Sequence, residues 1–368
     1  SGSAPDYRAI ARFRKRHLSA LGHVFVQALA LCQAAGMVSL GRVALDGTKV
    51  RANASKRKAM SYARMTEKEK VLAAEVSALL LEAERIDKAE DQQFGKDRRG
   101  DELPAELARR ETRLVKIRQA KAALEHEAAE AARADAERKA RERDDDDDTT
   151  TSAGAAAAAA ATPKPKAQRN FTDPDSKIML TADGAFHQCY NAAAVVDADH
   201  QVIVATAVGT NAADVGTLLP MTRQAAANTG RVPAQVLADA GYSSAANCEA
   251  AAAYTATYGT EFFIAPGRRR RDDPAPVAPR GRIPADATTK QRMARKLTTK
   301  RGQQVYARRK AIVEPVFGQM STLQNAKHLL LRGLEQARGE WLLLAACHNI
   351  RKLHGHIGLT GLSALPAY

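Results

Sequence analysis

The sequence predicts an α/β fold in which helices flank a mixed sheet. One observation is a series of short apolar runs typical of strands, at 43–48, 188–196, 201–208, 235–239 and 259–265. A second is that segments with helical spacing separate most of these runs. A third is the turn at 197–200, which joins two runs into a β-hairpin. An antiparallel hairpin combined with strands connected through helices indicates a mixed sheet.

The composition indicates a basic protein with an anionic partner. The chain has 368 residues, is 45% hydrophobic and carries a formal net charge of +15. This charge favours nucleic acid as the partner, the alternative being a basic protein that is merely soluble. The four cysteines lie far apart and form no CxxC pair, so they suggest neither a zinc site nor a disulfide scaffold. No apolar run reaches transmembrane length, and we expect no membrane partner.

Residues 1–41 are predicted to form an N-terminal helical segment. A basic stretch comes first, and Gly36 and Gly41 end the segment. Its apolar residues recur with helical spacing, namely Leu21, Val24, Phe25, Ala28, Leu29 and Cys32. The opening Ser1-Gly2-Ser3 resembles a cloning scar, so we expect natural N-terminal residues to be missing.

The first strand of the core is predicted within 42–63, and an antiparallel helical hairpin follows at 64–143. Two apolar stripes support the hairpin: Leu72, Val76, Leu79, Ala83 and Ile86, then Leu107, Leu114, Ile117 and Leu124. A polar break at 94–100 separates them, and Pro104 suits the first turn of the second helix. Two such stripes joined by a short turn pack antiparallel. The hairpin is either an arm that contacts DNA or a second copy, or a solvated spacer.

Residues 144–169 are predicted to be a disordered, low-complexity linker. Five consecutive aspartates repel one another and precede a stretch rich in Thr, Ala and Pro. A flexible string of like charges has no fixed geometry, so we do not predict a metal site there. The remainder of the core is expected at 170–368.

Three acidic residues are the candidates for chemistry. Asp46 and Asp239 each follow a short apolar run and precede a glycine, as at the end of a strand, and Glu314 lies in an apolar helical pattern behind basic residues. Carboxylates in this arrangement can hold two divalent metal ions, which activate an oxygen nucleophile and stabilise a leaving oxyanion. Taken singly, each aspartate is more typical of a turn, and Glu314 could pair with Arg309 or Lys310.

Basic residues near these acids are predicted to contact DNA phosphates. They are Arg309 and Lys310, together with the run Arg268, Arg269, Arg270 and Arg271. The alternative for the arginine run is a solvated loop. The basic neighbours and the carboxylate site favour phosphate contacts.

Longer phrases around the acids carry a resemblance to a known family. They lie at 43–65, 171–180, 190–197, 236–244 and 313–353, and include VALDGTKVRANAS, VLADAGYSS and VEPVFGQM. These phrases resemble the DDE transposases of bacterial insertion sequences, specifically the IS5/IS4-like branch with an inserted helical hairpin.

The resemblance implies a ribonuclease H-like core, two Mg²⁺ or Mn²⁺ ions, and cut-and-paste strand transfer at element ends. Asp46, Asp239 and Glu314 match the first, second and third catalytic carboxylates. Tyr306 and Arg309 match the residues that position phosphate, although the spacing from Arg309 to Glu314 is one residue longer than in some relatives. The family pattern has a lysine seven positions after the glutamate, where this chain has Ser321.

The implied partners are double-stranded DNA, as element ends and as target, and a second copy of the chain, because two ends must be handled together. The implied location is the bacterial cytoplasm, in association with the nucleoid. Two alternatives stay open. One is a catalytically silent, transposon-derived DNA-binding protein, and the other is a metal-dependent DNA nuclease without strand transfer.

Overall fold

The computed structural model describes residues 6–94, 105–141, 143, 147–267 and 281–365. The chain divides into two compact units. We call residues 1–54 and 176–368 the core unit, and residues 55–175 the insertion unit.

The described strands and helices are as follows. The strands are β1 (Val43–Arg51), β2 (Ala59–Ser61), β3 (Gln168–Asn170), β4 (Lys177–Leu180), β5 (Phe186–Asp197), β6 (Ile203–Gly209), β7 (Gln235–Ala238) and β8 (Glu261–Ile264). The helices are α1 (Tyr7–Arg16), α2 (Leu18–Ala34), α3 (Tyr62–Phe94), α4 (Ala105–Arg141), α5 (Asp147–Ala160), α6 (Leu218–Thr229), α7 (Ala245–Tyr258), α8 (Thr289–Thr298), α9 (Lys300–Leu323) and α10 (Leu334–Ser363). None of these described helices is long and apolar enough to cross a membrane.

The core unit contains a mixed sheet with the strand order β4-β5-β1-β7-β8, and β6 also pairs with β5. β1 is antiparallel to β5 and parallel to β7, which is parallel to β8. This arrangement confirms the predicted mixed sheet flanked by helices and is compatible with a ribonuclease H-like fold. The pairing of β1 with β7 ends at Leu45 and Ala238, whereas β1 continues along β5 to Arg51.

The two faces of the sheet pack against different helices. Successive side chains of a strand point to opposite faces, so Ala44 joins the core under α9 and α10, while Leu45 joins the core under α6 and α7. β5 is buried along most of its length, as expected for a central strand covered on both faces. Asp46 therefore belongs to the α9 face, and Gly47 belongs to the α6 face.

Helix α9 carries the third predicted acid and lies on the sheet through a buried stripe. Val305, Arg309, Ile312, Val316 and Met320 belong to that stripe. Thr299 caps the helix by accepting a hydrogen bond from the Gly302 amide at 3.0 Å. Pro315 lies inside α9 and has no N–H, which leaves the Ala311 carbonyl without its helical donor. Gln201 Nε2 donates to that carbonyl at 2.9 Å instead.

In the insertion unit, α3 and α4 pack against each other. Their shared core contains Met65, Leu72, Leu114, Ile117, Ala120 and Leu124. Glu69 pairs with Arg118 and Lys121, and Glu75 pairs with Arg110. A later residue of α3 thus meets an earlier residue of α4, so the two helices run antiparallel. Residues 95–104, where the predicted break lies, are outside the described residues.

The prediction of a disordered linker at 144–169 was wrong for most of that segment. Residues 147–160 form α5, and 168–170 form β3, which pairs with β2. Alanine is the strongest helix former, and Asp147 and Asp148 lie in the first helical turn, where negative charge is favourable. α5 also packs on α4, because a Cβ atom added to Gly154 would lie 2.7 Å from Glu137 Cγ. Both effects favour the helix over the disorder that repulsion among the aspartates would cause.

Candidate active site

Asp46 lies in β1 where the pairing with β7 ends. Its Oδ1 accepts a hydrogen bond from the Gly47 amide at 2.9 Å, and its Oδ2 accepts from Arg309 Nη1 at 2.9 Å. The two side chains are 18% and 10% exposed, respectively. Asp46 and Arg309 therefore form a largely buried ion pair between the sheet and α9.

Asp239 directly follows β7 and caps a short 3₁₀ turn at 240–242. Its Oδ1 accepts from the Gly241 amide at 2.8 Å. Because Leu45 and Ala238 are register partners, the residue after each of them lies at the same edge of the sheet. Burial raises the pKa of Asp46, the Arg309 guanidinium opposes that rise, and the Asp239 charge adds to it. The structure thus brings the first two predicted carboxylates together.

Tyr306 precedes Arg309 by about one turn of α9, so both side chains face the sheet edge. Burial raises the pKa of Tyr306, and the Asp239 and Asp46 carboxylates also raise it. Arg309 opposes this rise through its charge and through a hydrogen bond to Tyr306. Both predicted phosphate-positioning residues therefore lie beside the aspartate pair.

Glu314 is placed differently. Val313 is fully buried, whereas Glu314, about 100° further round the same helix, is exposed. No group of three or more His, Cys, Asp or Glu in the described part of the chain is arranged to hold a metal ion. The role of Glu314 stays a prediction.

The remaining predicted phosphate contacts are not tested by the structure. Lys310 is exposed on α9. Arg268, Arg269, Arg270 and Arg271 lie outside the described residues.

A further carboxylate, Asp214, lies at this edge of the sheet and was missed as a site residue. A Cβ atom added to Gly47 would lie only 2.6 Å from Asp214 Oδ1. The same oxygen accepts from Asn191 Nδ2 at 2.5 Å and from Lys49 Nζ at 3.3 Å. Asp214 lies in the connection before α6, which begins only at Leu218. The signal that could have found it is Gly47, because a glycine inside a strand often marks a close approach.

Tyr242 lies near all three aspartates, Asp46, Asp214 and Asp239. Its side chain is fully buried. Burial is the main cause that raises the pKa of Tyr242, and the charges of Asp214, Asp46 and Asp239 raise it further. One hydroxyl group therefore lies within electrostatic reach of all three carboxylates.

The pair of Asp46 and Asp239 fits a hard divalent cation. Both supply carboxylate oxygens, which Mg²⁺ and Mn²⁺ prefer. Burial and mutual repulsion disfavour the charged form of Asp46, and Arg309 offsets that only in part. A cation bound between the two carboxylates would relieve the repulsion. The residues that would hold it are Asp46 and Asp239.

Comparison with protein families supports a relation to transposases. Residues 282–354 match the family described as the transposase DDE domain. The matched stretch contains Tyr306, Arg309 and Glu314, and it confirms the resemblance to DDE-type insertion-sequence transposases; the particular branch stays a prediction. The match supports an enzyme of the transposase type that acts on DNA. No curated protein and no solved structure matches the chain.

Proposed function

We propose that this protein is a DDE transposase that cleaves DNA at insertion-sequence ends and joins the freed ends to target DNA. The observation that carries the proposal is the pair of half-buried carboxylates, Asp46 and Asp239, at one sheet edge, with Arg309 bound to Asp46. Arg309 lies on a helix inside the stretch that matches the transposase DDE domain. Carboxylates and arginine at a sheet edge suit phosphodiester chemistry better than acid–base chemistry on a neutral substrate.

The proposed reaction has two steps. Water attacks the phosphodiester at the element end, and the bond to the departing 3′ oxygen breaks to leave a free 3′-hydroxyl. That hydroxyl then attacks a target phosphodiester, so that one P–O bond forms for each one that breaks. Bound Mg²⁺ or Mn²⁺, two ions in the full reaction, would supply activation of the nucleophile and stabilisation of the leaving oxygen.

The residues of this chain would hold and orient the reactants. Asp46 and Asp239 would bind metal, and Glu314 would be the third carboxylate. Support for Glu314 comes from its place in the transposase match and from its exposed side chain, which leaves it free to reorient. Tyr306, Arg309 and Lys310 would contact phosphate, together with the run from Arg268 to Arg271.

The proposal extends to partners and location. The protein would act on double-stranded DNA as a homodimer in the bacterial cytoplasm, in association with the nucleoid. The packed helices α3 and α4 would form an inserted hairpin that contacts DNA or the second copy. Their exposed apolar residues, which include Val71, Leu81 and Val115, support a contact surface.

The test is cleavage of DNA that carries the sequences flanking the gene, measured with and without Mg²⁺. Asp239→Ala should abolish cleavage and leave the protein folded and able to bind DNA. Asp199→Ala, which removes an exposed aspartate from the β5–β6 turn, is the matched control and should cleave normally. Full cleavage by Asp239→Ala would refute the proposal.

A catalytically silent DNA-binding protein is the second candidate. Two observations favour it: Arg309 already neutralises Asp46, and the Glu314 side chain is exposed on α9. Binding of the flanking DNA without Mg²⁺-dependent nicking would support this candidate. A nuclease without strand transfer would nick that DNA and yield no joined products.

A further inference from the structure

Two cations flank the aspartate pair from opposite faces of β1. Arg309 binds Asp46 on the α9 face. Lys49, three residues later in the same strand, points to the other face and binds Asp214 there. The proposed phosphate contacts account for Arg309 and leave Lys49 without a role.

Lys49 is held in place but remains accessible. Its Nζ lies 3.3 Å from Asp214 Oδ1, and Asn191, its direct partner in the β1–β5 register, donates to the same oxygen. The Lys49 side chain is 20% exposed. Its ammonium group can therefore keep one protein contact and still reach a ligand from solvent.

Because Gly47 has no side chain, Asp214 and the Lys49 ammonium group that it binds can lie close to the acids. The Asp214 carboxylate occupies the space that any side chain at position 47 would need. Asp214 also lies beside Gly241, where an added Cβ atom would be 3.6 Å from its Oδ2. Gly47 follows Asp46 directly, and Gly241 binds Asp239. Asp214 and the ammonium group that it holds are thus located next to the aspartate pair.

The cluster also has unused hydrogen-bonding capacity. Asn191 is 6% exposed, and its Oδ1 has no hydrogen-bond partner among the described residues. That oxygen lies 3.4 Å from the position of an added Cβ atom on Gly47. Buried acceptors of this kind normally have a partner, so a donor that arrives with a ligand, such as a water or a repositioned ammonium group, would complete the cluster.

We propose that Lys49 binds a DNA phosphate beside the aspartate pair and that Asp214, with Asn191, is the positioning residue that holds Lys49 there. The inference rests on the proposed action on DNA. A phosphate brought to two carboxylates needs cations nearby, and Arg309 already shares its charge with Asp46. Lys49 and Arg309 together receive the phosphate from the two faces of β1.

The test measures binding of a short random-sequence DNA duplex by the full-length chain, without divalent metal, over a series of salt concentrations. Loss of one phosphate contact lowers the slope of log K against log salt by about 0.9. Lys49→Gln should lower the slope by that amount, and Lys49→Arg should keep it. Lys352→Gln is the matched control: Lys352, on α10, also has one polar partner, Gln201, which lies in the β5–β6 turn beside the start of β1. It should leave the slope unchanged.

Asp214→Asn separates positioning from simple charge. Removal of a carboxylate that acted only by repulsion would tighten DNA binding. A positioning role predicts weaker binding, and it predicts that the double variant with Lys49→Gln binds no worse than Lys49→Gln alone. Tighter binding by Asp214→Asn would overturn the positioning role.

An unchanged salt slope in folded Lys49→Gln would overturn the proposal. If that variant does not fold, amine labelling of the native chain gives the same answer. DNA should protect Lys49 and leave Lys352 labelled, and equal labelling of Lys49 with and without DNA would overturn the proposal. Neither measurement needs cleavage, so a chain that binds DNA through Lys49 without cutting it would refute the proposed function alone.

Discussion

The edge of the sheet and the outer face of α9 hold the predicted catalytic acids in very different ways. At the sheet edge, Asp46 and Asp239 are fixed by strand register, by backbone amides and by Arg309. On α9, the Glu314 side chain is exposed. The buried residues of that helix, and not Glu314, pack it against the sheet. The two aspartates are therefore held by several fixed contacts, whereas the Glu314 side chain is exposed to solvent.

The largest expected effect on stability comes from the ion pair at the sheet edge. Arg309→Met leaves Asp46 as an unpaired, mostly buried carboxylate, and breaking such a pair costs about 3–5 kcal/mol. Arg308→Met, which removes the exposed neighbour, is the control and should change stability little. Urea unfolding measures both. A loss below about 1 kcal/mol for Arg309→Met would mean that the edge is less rigid than the packing indicates.

Acid should weaken the packing of α10 against the sheet. Burial is the main cause that lowers the pKa of His348 to about 4, and its Nε2 hydrogen-bonds with the Gln201 carbonyl at 2.9 Å. The unfolded chain therefore binds a proton at higher pH than the folded chain. Stability is full above about pH 6.5 and falls towards pH 4, by up to about 3 kcal/mol. Urea unfolding at several pH values should show that the free energy of unfolding falls less on acidification in His348→Gln than in the unsubstituted protein. An equal fall would mean that another group causes the acid sensitivity.

Substitution of one glycine at the sheet edge and of one glycine in α9 allows the packing of the two regions to be compared. Gly47→Ala places a Cβ atom 2.6 Å from Asp214 Oδ1, and such overpacking costs about 1–3 kcal/mol. Gly318, inside α9, has nothing within 4 Å of an added Cβ atom, so Gly318→Ala should stabilise the protein by about 0.5–1 kcal/mol. Thermal unfolding distinguishes the two. Equal effects would contradict the close packing of Asp214 on Gly47.

The smallest expected effect on stability is at Glu314. Because its side chain is exposed, Glu314→Ala should change the free energy of unfolding by less than about 0.5 kcal/mol. Cleavage of the flanking DNA should nevertheless be lost, since the proposed third carboxylate would be missing. Glu335→Ala, at an exposed acid of α10, provides the control. Normal cleavage by Glu314→Ala would assign the third role to another residue.

Much of the fold could be predicted because it depends on local pattern. The apolar runs predicted every strand of the main sheet except β4. The Asp197–His200 turn predicted that β5 and β6 are antiparallel. The prediction of disorder was wrong at α5 because two local effects oppose each other there. Charge repulsion among the aspartates favoured disorder, whereas the alanine run and contact with α4 favoured a helix.

The candidate site was predictable in part for the same reason. Asp46 and Asp239 follow apolar runs in neighbouring parallel strands, and the pairing of these strands ends just before both residues, although β1 itself continues to Arg51. Asp214 could not be found in this way. It lies in a connection before α6, and its contact with Gly47 crosses more than 160 residues of sequence.

By itself, the sequence determined the mixed sheet, the basic charge and the apolar runs that precede two of the carboxylates, because composition and side-chain periodicity are local properties. Only the tertiary structure decided which cation meets which acid. It placed Arg309 on Asp46 and Lys49 on Asp214, and it left Glu314 exposed. Helix rotation, strand register and the space left by a glycine set these contacts, and each depends on packing between segments that are distant in the chain.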